Sequence, residues 1–161
     1  SAISFVDKKA HIDHEKCVGC GRCIGSCNYD AISNTEDASN TILSEKIAEY
    51  AYAVVSNRPQ FHISLIMDVS PYCDCHSEND APIVADIGML ASFDPVALDQ
   101  ACADLVNQAQ ALPNSMLAES HIHEGDHFRS LFPETDWDAC LARGEEMGLG
   151  QRDYELITLE W

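Results

Sequence analysis

Long hydrophobic runs are missing from this sequence, which contains no stretch of about 18 consecutive apolar residues. This excludes a helical membrane span. Basic residues are scarce as well, since nine Lys and Arg stand against 27 Asp and Glu and give a formal net charge of −18. Because phosphate groups are bound by basic patches, this balance excludes nucleic acid and anionic membrane surfaces as expected partners.

Nucleotide and secretion signals are also absent. The sequence has no G-x-G-x-x-G and no P-loop, so it gives no support for nucleotide binding. Ser1–Ser4 contains no initiator Met and no charged segment followed by an apolar one, so we expect no signal peptide. Eight cysteines without a secretory segment favour a reducing cytoplasm over a disulfide-bonded, secreted chain.

The few positive charges are concentrated near the start of the chain. Four of the nine basic residues lie within the first 22 positions, so 24 acids face five bases from residue 23 onward. Acidic surface of this kind mostly keeps a protein soluble, and it can also steer a basic redox partner toward the chain.

The most specific motif is a run of cysteines at C-x2-C-x2-C-x3-C spacing, the ligand run of bacterial ferredoxins. Its members are Cys17, Cys20, Cys23 and Cys27. Gly19, Gly21 and Gly25, which lie between the cysteines, let the backbone approach a cluster without a Cβ. Zinc sites typically pair two C-x2-4-C units across a longer loop, which is a different spacing. The run therefore predicts a 4Fe–4S cluster.

The identity of the fourth ligand is left open. In two-cluster ferredoxins the fourth cysteine of a run binds the other cluster, but only one run is present here. Either Cys27 completes a self-contained site, or the fourth thiolate comes from Cys73 or Cys75. These two lie two positions apart in a polar loop beside His76, where they are candidates for a second cluster or metal ion.

A second group of metal-capable side chains lies in one polar stretch of the sequence. It consists of His121, His123, Glu124, Asp126 and His127. In extended chain the two imidazoles of His-x-His point to one face, which is a workable geometry for a metal. The alternative interpretation is a hydrogen-bonded loop with no ligand.

Periodicity and capping signals predict an α/β (or α+β) fold, in which a sheet is layered with helices and carries the ferredoxin-like cysteine loop as an insert. Two short extended pieces are expected over residues 3–13, around a turn at Asp7–Lys9, followed by one or two helical turns over 21–27 and extended chain at Ala31–Ile32. The run Phe61–Val69 is apolar on both faces near its end, which predicts a central strand.

Three helices are expected after the cysteine loop. The first is capped by Ser44 and ends at Arg58–Pro59, and the second opens with Asp94 as N-cap and Pro95 at its first position. Cys102, on the apolar face of that second helix, and Cys140, in the last, are expected to be core residues. The last helix runs from Thr135 or Asp136 to about Met147, and Tyr154–Leu159 alternates as a final strand.

Several of these segments together resemble the uncharacterised Fe–S cluster proteins known as domain of unknown function 362. The matching residues are Cys17–Asn28, Cys73–Cys75, Pro82–Gly88, Asp94–Asp99, Gly148–Gly150 and Tyr154–Leu156. The resemblance implies the class of cofactor and a longer protein, with an N-terminal half before the ferredoxin segment. We therefore expect a cluster segment at 1–35, an α/β body at 36–161, and the missing N-terminal half as a partner.

The sequence thus predicts an Fe–S protein that passes single electrons to a redox partner. Two alternatives stay open at this point. One is a cluster-containing enzyme with a second metal or a substrate near Cys73, Cys75 and His76 or in the His121–His127 loop. The other is a cluster that only stabilises the fold.

Overall fold

The computed structural model describes residues 2–27, 29, 31–33, 39–72, 79–120 and 125–159. The chain divides into two compact units, Ser1–Asp37 and Ala38–Trp161. Within the described residues there are six helices and two small antiparallel sheets, which confirms the predicted mixture of α and β structure.

The first unit contains a short hairpin and one turn of helix. Strands β1 (Ile3–Val6) and β2 (Lys9–Ile12) pair antiparallel. The turn residues Asp7 and Lys8 have φ values of 50° and 65°, the left-handed conformation that matches the twist of a tight hairpin. Helix α1 (Arg22–Gly25) follows, so the predicted hairpin and helical turn are confirmed. Ala31 and Ile32 belong to no helix or strand, and their extended conformation stays a prediction.

In its described residues, the second unit consists of a two-stranded sheet and five helices, one of which packs on the sheet. Its elements are α2 (Asn40–Val55), β3 (His62–Ile66), β4 (Gly88–Ser92), α3 (Pro95–Gln108), α4 (Met116–Glu119), α5 (His127–Leu131) and α6 (Trp137–Glu146). Strands β3 and β4 are antiparallel, with His62 opposite Ser92 and Ile66 opposite Gly88. Helix α3 packs on this sheet, and α2 packs on α6.

Helix α2 begins five residues before the predicted start. Its N-cap is Ser39, whose hydroxyl accepts the N–H of Ile42 at 3.4 Å, so the prediction of Ser44 as the cap is wrong. Asn40 and Thr41 explain the difference, because their side chains bond to Glu134 and Asp136 just before α6. These long-range contacts hold the extra turn. The helix ends at Val55 with Ser56 as C-cap, ahead of Arg58–Pro59.

The predicted N-cap of α3 is confirmed. The Oδ1 atom of Asp94 accepts the N–H groups of Val96 at 2.9 Å and Ala97 at 3.0 Å, and Pro95 occupies the first helical position. The last helix, α6, also lies where it was predicted. The prediction of a final strand at Tyr154–Leu159 is wrong, because this segment has no regular structure.

The core of the second unit lies under the inner face of the sheet. It is built around Ile66, Ile83, Val84, Val106 and Leu117. The prediction that β3 is a central strand with two apolar faces buried is wrong for the described residues, since β3 pairs with β4 alone. Its burial alternates with the pleat, so Ile66 is 4% exposed while Ile63 and Leu65 are 59% and 62% exposed.

Candidate metal-binding cysteine loop

The cysteine run begins at a turn that Asp13 organises. The backbone carbonyl of Asp13 accepts the N–H groups of Lys16 at 3.1 Å and Cys17 at 2.9 Å, and its side chain accepts the N–H of Glu15 at 3.1 Å. The Lys16 ammonium donates to Oδ2 of Asp13 at 2.5 Å. That hydrogen bond lowers the pKa of the Asp13 carboxyl below its ordinary value. The turn therefore fixes the direction in which the chain leaves β2 and enters the cysteine run.

Two glycines set the backbone between the first three cysteines. Gly19 and Gly21 have φ values of 68° and 70°, in the left-handed region that L side chains avoid. A Cβ at either position would meet no heavy atom within 4 Å. Glycine is thus needed here for its backbone conformation, and the expected close approach of another group is not seen at these positions among the described residues.

The four cysteines of the run share one loop and differ in exposure. Cys17 and Cys20 are exposed, while Cys23 in α1 and Cys27 just after it are half-buried. The N–H of Cys27 donates to the carbonyl of Ile24 at 3.1 Å, which turns the chain back toward α1. Across the described residues, however, no three His, Cys, Asp or Glu side chains gather closely enough to hold a metal ion. The thiols thus share a loop without converging on one point.

The residues present fit an iron–sulfur cluster by the chemistry of their donors. Four soft thiol donors lie within an 11-residue stretch at the spacing that such clusters use. The glycine conformations at 19 and 21 allow the tight reversals that this spacing needs. When bound, the cluster would supply one-electron redox chemistry.

The other predicted ligands are only partly described. Cys73, Cys75, His76, His121 and His123 lie outside the residues that the structure describes. Their role as metal ligands stays a prediction.

His127 and Asp126 are described, and both take part in local packing. Nε2 of His127 lies 2.8 Å from the carbonyl oxygen of Ala109, and its backbone N–H donates to Oδ1 of Asn107 at 2.8 Å. Asp126 caps α5 by accepting the N–H of Arg129 at 2.9 Å. These contacts position the start of α5 against the end of α3.

The Asp126 carboxylate has three donors. Besides the backbone N–H of Arg129, its Oδ2 atom accepts the guanidinium of Arg129 at 2.8 Å and the indole N–H of Trp137 at 3.1 Å. Burial raises the pKa of Asp126, but these hydrogen bonds together outweigh it and hold the pKa below the ordinary value. Asp126 is therefore an ionised structural anchor between α5 and α6.

The two cysteines predicted to be core residues are half-buried. Burial raises the pKa of Cys102 and Cys140, and the nearby Asp99 carboxylate raises both further. Such thiols are poor nucleophiles because little thiolate forms at neutral pH.

One feature of the second unit has no counterpart in the sequence predictions. A hollow of about 470 Å³ lies beside α2, α3 and α6, with apolar walls of Leu43, Ile47, Trp137 and Leu141. Asp99 opens into it from α3. No spacing rule could reveal this hollow, because its residues come from three separated segments and Asp99 has the pattern of an ordinary exposed acid.

The fold and the loop together define a mixed α/β protein with a cysteine-rich segment near the start of the sequence. The family model described as domain of unknown function (DUF362) matches residues 5–104. This match covers more than half of the chain and includes the whole cysteine run and most of α3, so the chain belongs to this family. No curated protein and no solved structure matches it. In the described part of the chain, no helix is both long and apolar enough to cross a membrane.

Proposed function

We propose that this chain binds a 4Fe–4S cluster on its cysteine loop and passes single electrons. Cys17, Cys20 and Cys23 are the first three ligands, and Cys27 is the fourth. The observation that carries the proposal is the four-thiol run itself, which lies on one loop with left-handed glycines between its ligands. Membership of the family agrees with it and names no activity.

The residues around the thiols support this role. Arg22 lies between Cys20 and Cys23 and carries a positive charge, which favours the ionised thiolates that a cluster needs. The exposure of Cys17 and Cys20 keeps the site close to solvent, and thereby close to a docking redox partner. The excess of acids from residue 23 onward favours a basic partner. A reducing cytoplasm would keep the thiols available.

Anaerobic reconstitution tests the proposal. The full chain is expected to hold about four iron and four sulfide ions, and dithionite should bleach its absorption near 400 nm reversibly and produce an EPR signal. A Cys20→Ser variant should lose most of the iron. The matched control is Cys102→Ser, which removes a half-buried thiol outside the run and should keep the iron content.

Three outcomes would change different parts of this proposal. Stoichiometric zinc with no iron after reconstitution would exclude the cluster. A cluster that dithionite cannot reduce, and whose loss unfolds the chain, would keep the cluster and exclude electron transfer. A second metal that survives loss of the cluster would favour the enzyme alternative near Cys73 and Cys75.

A further inference from the structure

The hollow beside α2, α3 and α6 lies within the unit Ala38–Trp161, apart in sequence from the cysteine loop. Its volume of about 470 Å³ falls within the range of about 300–1,000 Å³ typical of small-molecule sites. The apolar part of its lining comes from Leu43 and Ile47 in α2 and from Trp137 and Leu141 in α6. Leu43 and Ile47 are each 54% exposed, so apolar surface stays open to an incoming molecule.

Two polar groups at the rim are already engaged. Asp136 accepts a hydrogen bond from the Thr41 hydroxyl at 2.5 Å and pairs with the Arg129 guanidinium at 3.2 Å. Asn40 donates through Nδ2 to the carbonyl oxygen of Glu134 at 2.5 Å. These contacts tie the first turn of α2 to the chain before α6. They hold the rim of the hollow in place. Asp99 is then the carboxylate of the lining that can pair with a bound molecule.

The carboxyl group of Asp99 differs from these two groups in its hydrogen bonding. Among the described residues, none donates a hydrogen bond to its carboxyl group, although the group opens into the hollow. Asp99 is exposed as a residue, but the surrounding side chains displace part of the hydration of its carboxyl group, and this desolvation raises the pKa of Asp99. The charge of His62 has the opposite, smaller effect. A bound cation would stabilise this partly desolvated carboxylate in its ionised form.

We propose that this hollow binds a small organic ammonium ion with an apolar body. The ammonium group would pair with Asp99, and the apolar body would cover Leu43, Ile47 and the indole of Trp137. An anion is disfavoured because the Asp99 carboxylate contributes negative charge to the hollow, whereas the charge of Asp136 is already paired with Arg129. A metal ion is disfavoured because the described residues supply no group of three metal-capable side chains. The site is independent of the proposed cluster and adds a ligand class to the chain.

Isothermal titration of the full chain with benzylammonium tests this site, and benzyl alcohol serves as the uncharged probe of nearly the same shape. Benzylammonium should bind with 1:1 stoichiometry and at least tenfold more tightly than the alcohol. Asp99→Asn should weaken benzylammonium binding at least tenfold and leave the alcohol unchanged. The matched control is Asp153→Asn, which removes the same charge from an exposed carboxyl in the same unit and should change affinity less than twofold.

A second variant keeps the test decisive if Asp99→Asn fails to fold. Ser44→Lys places a fixed ammonium at the lining of the hollow and should abolish benzylammonium binding while circular dichroism stays unchanged. Equal weakening by Asp99→Asn and Asp153→Asn would mean diffuse attraction to a chain of net charge −18 and would overturn the proposal. Equal affinity for the alcohol and the ammonium would overturn it as well, and so would no binding of benzylammonium.

Discussion

The carboxylate of Asp94 joins the start of α3 to the backbone of Gln151, 57 residues later. Oδ1 caps the helix, and Oδ2 accepts the N–H of Gln151 at 2.8 Å. Gly150 lies directly against this carboxylate, because a Cβ built there would fall 1.9 Å from Oδ1. The Asp94 carboxylate thus needs a residue without a side chain at position 150 in order to reach the N–H of Gln151.

The contact between Asp94 and Gly150 predicts a coupled pair of mutations. Gly150→Ala should destabilise the chain by about 1–3 kcal/mol, because the new methyl group displaces the capping carboxylate. Asp94→Ala should cost about 1 kcal/mol through the lost cap. In the double variant the Gly150→Ala cost should largely disappear, since the clashing group is gone. Urea unfolding of all four proteins measures the coupling, and strictly additive costs would contradict the contact.

The pleat of β3 predicts unequal costs for neighbouring positions. Ile66 is 4% exposed and belongs to the core, so Ile66→Ala should cost about 2–4 kcal/mol of unfolding free energy. Leu65, which is 62% exposed on the opposite face, serves as the control, and Leu65→Ala should cost less than about 1 kcal/mol. Urea unfolding of both variants checks which face of β3 is buried. Equal losses would mean that the outer face is covered in solution.

Local signals in the sequence predicted those features that depend on a few neighbouring residues. Asp94–Pro95 contains a capping side chain and a helix-starting proline, so the start of α3 could be predicted. The start of α2 could not, because Ser39 and Ser44 are equally good caps and the choice depends on contacts to Glu134 and Asp136, about 95 residues away.

One further error and one feature missed by the sequence predictions also come from long-range structure. Tyr154–Leu159 alternates like a strand, but the described structure offers it no ladder partner. Side chains hold the start of this segment instead, as when the Tyr154 hydroxyl donates to Asp104 at 2.8 Å. The hollow next to Asp99 likewise arises only when three helices meet. The cysteine motif, by contrast, could be recognised from the sequence because all four thiols lie within one local stretch.

Asp126 predicts a specific dependence of stability on pH. Its pKa is lowered in the folded state, so its contribution is fully present above the unfolded pKa of about 3.9 and is lost as the pH falls through the folded value. Asp126→Asn should therefore lower the free energy of unfolding at pH 7 by about 1–3 kcal/mol, and the melting temperature should fall with it. The gap between this variant and the parent should narrow below about pH 4.

Thermal unfolding between pH 3 and pH 7 measures this gap. Asp153→Asn is the matched control, since its carboxyl is exposed and accepts no hydrogen bond from the described residues. Its effect should be small throughout the range. A gap for Asp126→Asn that stays the same from pH 7 to pH 3 would contradict the role of the ionised carboxylate as an anchor.

The choice of the fourth cluster ligand gives the last prediction. Cys27 lies two residues after α1 and within 11 residues of the first three cysteines, so closing the cluster with it requires only local movement. A ligand from Cys73 or Cys75 would close a loop of about 50 residues, and ordering such a loop carries a larger entropic cost. We therefore expect Cys27→Ser to lower the iron content after anaerobic reconstitution by at least half. Cys73→Ser and Cys75→Ser are the matched thiol controls and should retain the iron of the parent chain. The reverse pattern, with iron kept in Cys27→Ser and lost in either control, would assign the fourth thiolate to the Cys73–Cys75 pair.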